Sequence, residues 1–132
     1  MEIHFKIIGV LLIVLSLIHI FFPKYFNWDI ELKSLSLMNR QMMTTHTFFI
    51  ALTLLLMGVL CFTSSNELIA TNLGKKISLG FGIFWAIRLY FQFFFYSPEL
   101  WRGRRFETVI HILFSLLWVY LSFIFLTTYF IF

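Results

Sequence analysis

Five polar residues in this 132-residue chain have side chains that could do chemistry inside otherwise apolar runs. They are His19, His46, His111, Arg88 and Gln92. Three imidazoles at one depth could ligate zinc, copper or iron and leave a position open for a small molecule. Two imidazoles on facing helices could instead hold a haem iron from both sides. Arg88 and Gln92 would steady an anionic group or a bound oxygen species, with Tyr96, Glu107 and Arg102 close by in sequence. The expected metal ligands are therefore His19, His46 and His111. The expected cofactor-binding residues are Arg88, Gln92, Tyr96, Glu107 and Arg102. The implied cofactor is a transition metal or haem.

Each of these residues also has an ordinary reading. A histidine in a membrane can simply hydrogen-bond a neighbouring helix, a contribution of about 0.6 kcal/mol on average. Arg102, Arg104 and Arg105 suit lipid headgroups as well as an anionic substrate, since a guanidinium fork fits phosphate or carboxylate. Met38, Met42, Met43 and Met57 are more often packing than copper ligands. Trp85, Trp101 and Trp118 read as anchors or packing. No HExxH and no paired Glu-x-x-His motif occurs, so neither a metalloprotease nor a di-iron bundle is indicated. Phosphate loops, nucleophile elbows and dinucleotide fingerprints are missing too.

The elements that must position these groups follow from composition. The chain is 61% hydrophobic and only 12% charged, against about a quarter charged in soluble domains. Its 19 phenylalanines exceed what one core of this length could hide from water. Four apolar stretches, at about 3–22, 42–62, 77–96 and 107–130, approach the roughly 20 residues needed to cross a bilayer. In lipid their backbone groups must be satisfied within each segment, which makes them helices. The fold class expected is all-α: a polytopic membrane protein forming an antiparallel four-helix transmembrane bundle, residues 1–132 as one domain. The first stretch is read as a retained span, because "PKYFNW" rather than a small-residue cleavage pattern follows it. One cysteine, Cys61, rules out an internal disulfide and reads as a small buried hydrophobe.

The net charge of +4 points to lipid and not to nucleic acid, because the basic residues sit at the ends of apolar runs. Lys24, Lys33, Arg40, Arg102, Arg104 and Arg105 share one face, which the positive-inside rule places in the cytoplasm. The loop 23–41 is expected to lie along the interface as an aromatic belt or a short amphipathic helix. In "SPELW", Ser97 is expected to cap a short helix with Pro98 at its first position. The connector 63–76 holds a helix stop and restart.

Helical phase gathers the polar groups. Glu107, His111, Ser115, Trp118 and Ser122 form one stripe, and Trp85, Arg88, Gln92 and Tyr96 another. Asn39, Met43, His46, Thr53 and Met57 line up on the second span, and Ser16 neighbours His19 on the first. Arg88 is expected to face the helices and find a partner, with Glu107 its best acidic candidate.

The stretches "HIFFPKYFNW", "NRQMMTTHTFFIALTLLLMG", "FWAIRLYFQFFFYSPELWRGRRFE" and "HILFSLLWVY" resemble those of small bacterial integral membrane proteins to which no activity is attached. In size and helix count the chain is also similar to the DoxX-like four-helix membrane proteins. The resemblance implies the fold and carries no residue role across. The expected function is a membrane protein with a His/Arg/Gln pocket that binds metal or haem as a redox or accessory protein. The alternatives are a non-catalytic lipid-binding or scaffolding subunit and a quinone- or lipid-processing enzyme. The expected partners are the lipid bilayer of the bacterial cytoplasmic membrane, an anionic lipid or small molecule at the arginine-rich face, and another membrane protein or a second copy.

Overall fold

Two hydroxyl caps start the two middle spans. Ser36 Oγ accepts from the Asn39 amide at 3.2 Å, and Thr71 Oγ1 accepts from the Gly74 amide at 2.9 Å. Each cap satisfies an N–H that has no partner within its helix. The computed structural model describes all 132 residues and contains helices but no strand. The helices are α1 (Glu2–Ile20), α2 (Phe22–Tyr25), α3 (Trp28–Glu31), α4 (Leu37–Thr63), α5 (Ser65–Ala70), α6 (Asn72–Phe94) and α7 (Arg105–Phe130). Four of them, α1, α4, α6 and α7, are long and apolar enough to cross a membrane. The chain is an all-α, multi-pass integral membrane protein.

Local chemistry sets the helix ends. Helix α1 stops at Ile20 because Pro23 cannot continue it; its ring would meet the carbonyl one turn back. Asn27 takes a left-handed backbone at φ 54°, separating α2 from α3. The loop 23–41 thus holds two short helices and a 3-10 turn at Leu32–Ser34. Helices α4 and α6 begin at residues 37 and 72, earlier than the apolar runs at 42 and 77. The caps precede those runs, so each first turn is polar helix. After α6, Ser97 Oγ accepts from the Glu99 amide at 3.2 Å and starts a 3-10 turn with Pro98 in its first turn, as the sequence led us to expect.

The chain divides into two compact units, Glu2–Ser65 and Asn66–Phe132. In the first, α1 packs antiparallel on α4 around a pair of glycines. A Cβ on Gly9 would stand 2.8 Å from the Gly58 carbonyl oxygen, and one on Gly58 equally close to the Gly9 carbonyl. Such close approach of two backbones is how helices gain dispersion in lipid, where no hydrophobic effect drives them together. Ser16 Oγ donates to the Ala51 carbonyl at 2.7 Å along the same seam.

In the second unit α6 packs antiparallel on α7. Leu126 occupies the space beside Gly82, and the Phe81 and Phe125 rings meet edge to face at 5.3 Å. Trp85 stacks on Trp118 with ring centres 4.9 Å apart, and Gln92 meets His111 nearer the connection. At the other end Gly74 lets α6 start directly against α5, since a Cβ there would collide with the Glu67 carbonyl. The hydroxyls of Ser115, Ser122 and Thr128 are satisfied on α7 itself, each donating to the carbonyl four residues earlier. These serines belong to the expected polar stripe, yet they use none of their hydrogen-bonding capacity across the helices.

Candidate ligand site in the C-terminal hairpin

Gln92 is the centre of the polar cluster, 8% exposed and bonded to three side chains. Its Oε1 accepts from Arg88 Nη1 at 3.4 Å and from Trp118 Nε1 at 3.3 Å. Both partners can only donate, so the carbonyl end of the amide must face them. The NH₂ end then points at His111, 3.0 Å from Nδ1 and 3.4 Å from the His111 carbonyl. Nδ1 therefore acts as the acceptor, and a neutral His111 carries its proton on Nε2. The tautomer follows from donor and acceptor chemistry alone.

Arg88 is half-buried and its charge meets only neutral groups. Besides the Gln92 carbonyl, its guanidinium carbon lies 5.3 Å from the Tyr96 ring centre and 5.2 Å from that of Trp118. Ring faces of this kind attract a cation by about 0.5–2 kcal/mol each. Glu107, half-buried on the first turn of α7, is not among its partners. The expected ion pair is replaced by a carbonyl and two aromatic faces. Geometry explains this: Glu107 lies one turn closer to the connection than His111, while Arg88 lies one turn farther from it than Gln92. No Arg88 nitrogen is both sealed from solvent and without a partner, so its remaining N–H groups stay open to a ligand.

The connection holds one wall of the cluster. Gly103 takes φ 76°, a backbone that suits glycine, and turns the chain back into α7. Thr108 Oγ1 donates to the Trp101 carbonyl at 2.5 Å, tying that residue to the first turn of α7. The Trp101 indole then stacks on the His111 imidazole at 4.6 Å and 17°, while Phe93 meets the imidazole edge-on at 6.2 Å. Arg102, Arg104 and Arg105 are exposed around the turn. From sequence, Trp101 and Trp118 read as anchors or packing. Trp118 shared a helical stripe with His111 and was legible as a neighbour, whereas nothing in the sequence marked Trp101.

As they stand, these contacts leave His111 no free lone pair for a metal or haem iron: Nε2 carries the proton and Nδ1 faces Gln92. Ligation through Nε2 would put the proton on Nδ1, against the Gln92 NH₂. Ligation through Nδ1 would displace Gln92 outright. Ligation through Nε2 would need the amide turned, with its NH₂ toward Arg88 and Trp118. No group of three or more His, Cys, Asp or Glu side chains is arranged to hold a metal ion.

The N-terminal hairpin presents its histidines differently. His19 Nδ1 donates to the Leu15 carbonyl at 2.8 Å, leaving Nε2 as a free acceptor, and the ring tilts against Phe22 at 4.5 Å. His46 is exposed. The buried residues of α4 are Ala51, Leu54, Met57, Gly58 and Cys61. His46 lies more than a turn before the first of them, nearer the start of the helix. Asn39, Met43 and Thr53 of its expected stripe are exposed too, and only Met57 is buried.

No protein-family model matches the chain, and neither a curated protein nor a solved structure matches it significantly.

Proposed function

We propose that this multi-pass protein resides in the bacterial cytoplasmic membrane and binds an anionic lipid headgroup, without catalysing a reaction. The site is the connection end of the α6–α7 hairpin. Arg88 supplies the deeper charge, Tyr96 and Trp118 supply its apolar walls, and Arg102, Arg104 and Arg105 supply the outer rim. One observation carries this reading: Arg88 keeps a full charge beside neutral partners only, with donors still open. A cation in lipid is costly without a counter-charge, and a headgroup phosphate provides one at the depth where arginines meet it. A guanidinium offers paired donors to phosphate oxygens, which a lysine cannot.

The test is titration of delipidated protein with phosphatidylglycerol or phosphatidylcholine, read by native mass spectrometry. Selective retention of phosphatidylglycerol that is lost in Arg88→Leu supports the reading. Equal retention of both lipids by the wild type refutes it.

A second reading, a scaffolding subunit, is favoured by the exposed His46 on α4. A polar side chain on a span commonly meets another helix. Cross-linking through a cysteine at position 46 distinguishes a second copy or a foreign partner from lipid.

A further inference from the structure

The Gln92 amide has two faces and two sets of partners that want opposite ends of it. Arg88 and Trp118 require its carbonyl, and His111 in its present tautomer requires its NH₂. We propose that His111 is a proton switch for the Arg88 site, acting through rotation of Gln92. The proposal rests on the reading of that site as an anion-binding one for its consequence, though not for its mechanism.

The proton balance is simple. A proton taken from water binds Nδ1 of His111, where the lone pair now accepts from Gln92. The imidazolium has an N–H on both nitrogens and can no longer accept. The Nδ1–H and the Gln92 NH₂ are then two donors at 3.0 Å, a contact the amide relieves by turning about its terminal bond. Its carbonyl then accepts from His111 Nδ1, at the expense of the NH₂ contact with the His111 backbone carbonyl at 3.4 Å, and its NH₂ faces Arg88 and Trp118. Both of those donors lose their acceptor together. Arg88 is left with two ring faces and no oxygen, beside a new positive charge. Each change favours an anion at the guanidinium.

The surroundings leave His111 as the group that changes charge. In this hairpin the charged or titratable groups toward the connection are Arg88, Tyr90 and Tyr96 on α6, Glu107 one turn away on α7, and Glu99, Arg102, Arg104 and Arg105 between them. Arginine keeps its proton throughout, tyrosine ordinarily titrates far above neutrality and glutamate ordinarily well below it. The flanking aromatic groups, Trp101 stacked at 4.6 Å and Phe93 edge-on, have no acceptor to offer the imidazolium. The rotated Gln92 carbonyl provides that acceptor. Anion binding and protonation must then favour each other reciprocally.

Two measurements test the switch. The first uses protein labelled with ¹⁵N in its tryptophans and held in phosphatidylcholine nanodiscs, so it needs no anionic lipid. The Trp118 indole resonance, assigned through Trp118→Phe, should move upfield between about pH 8 and pH 5, the range in which histidines change charge. The loss of its Gln92 acceptor causes that shift. In His111→Gln, which accepts from Gln92 without titrating, the same resonance should stay in place. A Trp118 signal constant across this range in the wild type overturns the proposal, and so does an equal shift in His111→Gln.

The second measurement is phosphatidylglycerol retention at both pH values. Its phosphodiester keeps one charge across that range, so a several-fold rise at low pH in the wild type but not in His111→Gln supports the coupling. Retention that is independent of pH overturns the coupling and leaves the binding site standing. An absence of retention at any pH, with the indole still shifting, refutes the lipid site and upholds the switch.

Discussion

The Arg88 guanidinium carbon stands 5.2 Å from the ring centre of Trp118, and both residues bond the same carbonyl oxygen of Gln92. A cation on an aromatic face, with a shared neutral acceptor, replaces the ion pair that a buried arginine usually finds. The consequence is measurable, because removing one partner strands no opposite charge.

Arg88→Leu should therefore cost about 1–2 kcal/mol, the scale of lost cation–π and hydrogen-bond contributions. Breaking a buried ion pair would cost about 3–5 kcal/mol. Reversible denaturant unfolding in detergent distinguishes the two. A loss in the larger range would mean that a carboxylate has been stranded, contrary to the geometry.

Gln92→Leu should be the more damaging change, despite removing no charge. It leaves the Trp118 indole N–H and the His111 Nδ1 without partners, each costing about 1–3 kcal/mol when buried. Because Trp118→Phe removes one of those stranded groups, the double mutant should be less destabilised than the sum of the singles. The expected coupling is about 0.5–3 kcal/mol in a double-mutant cycle.

Two glycine substitutions should move stability in opposite directions. Gly9→Ala places a methyl 2.8 Å from both the Gly58 carbonyl oxygen and the Phe62 Cβ, so α1 and α4 must separate. Gly80→Ala meets nothing within 4 Å on an exposed helix position and should stabilise by about 0.5–1 kcal/mol. Thermal unfolding of the two variants in one detergent tests the pair. A neutral Gly9→Ala would refute close packing of the two backbones.

Chelation provides a further check on the histidines. Dialysis against EDTA should leave the midpoint of unfolding unchanged, because no three His, Cys, Asp or Glu side chains are arranged to hold a metal ion. Metal content at one equivalent per chain, lost together with stability, would overturn that expectation.

The sequence by itself determined the four spans, the Ser97 cap of the connecting turn and the company that Arg88 keeps on its own helix. These are local consequences: apolar length demands a helix in lipid, a serine hydroxyl caps the turn, and the helical period places Arg88, Gln92 and Tyr96 on one side. The antiparallel order of α6 and α7 made the meeting of Gln92 with His111 legible as well. Only the tertiary structure decided which face of α4 turns to α1. That rotation is set by the fit of Gly58 against Gly9, and the buried residues of α4 begin only at Ala51, which leaves His46 exposed. It also decided that Glu107 stays apart from Arg88 and that Trp101 covers His111. Helical periodicity relates residues along one helix, whereas rotation, axial offset and loop path depend on contacts between residues far apart in sequence.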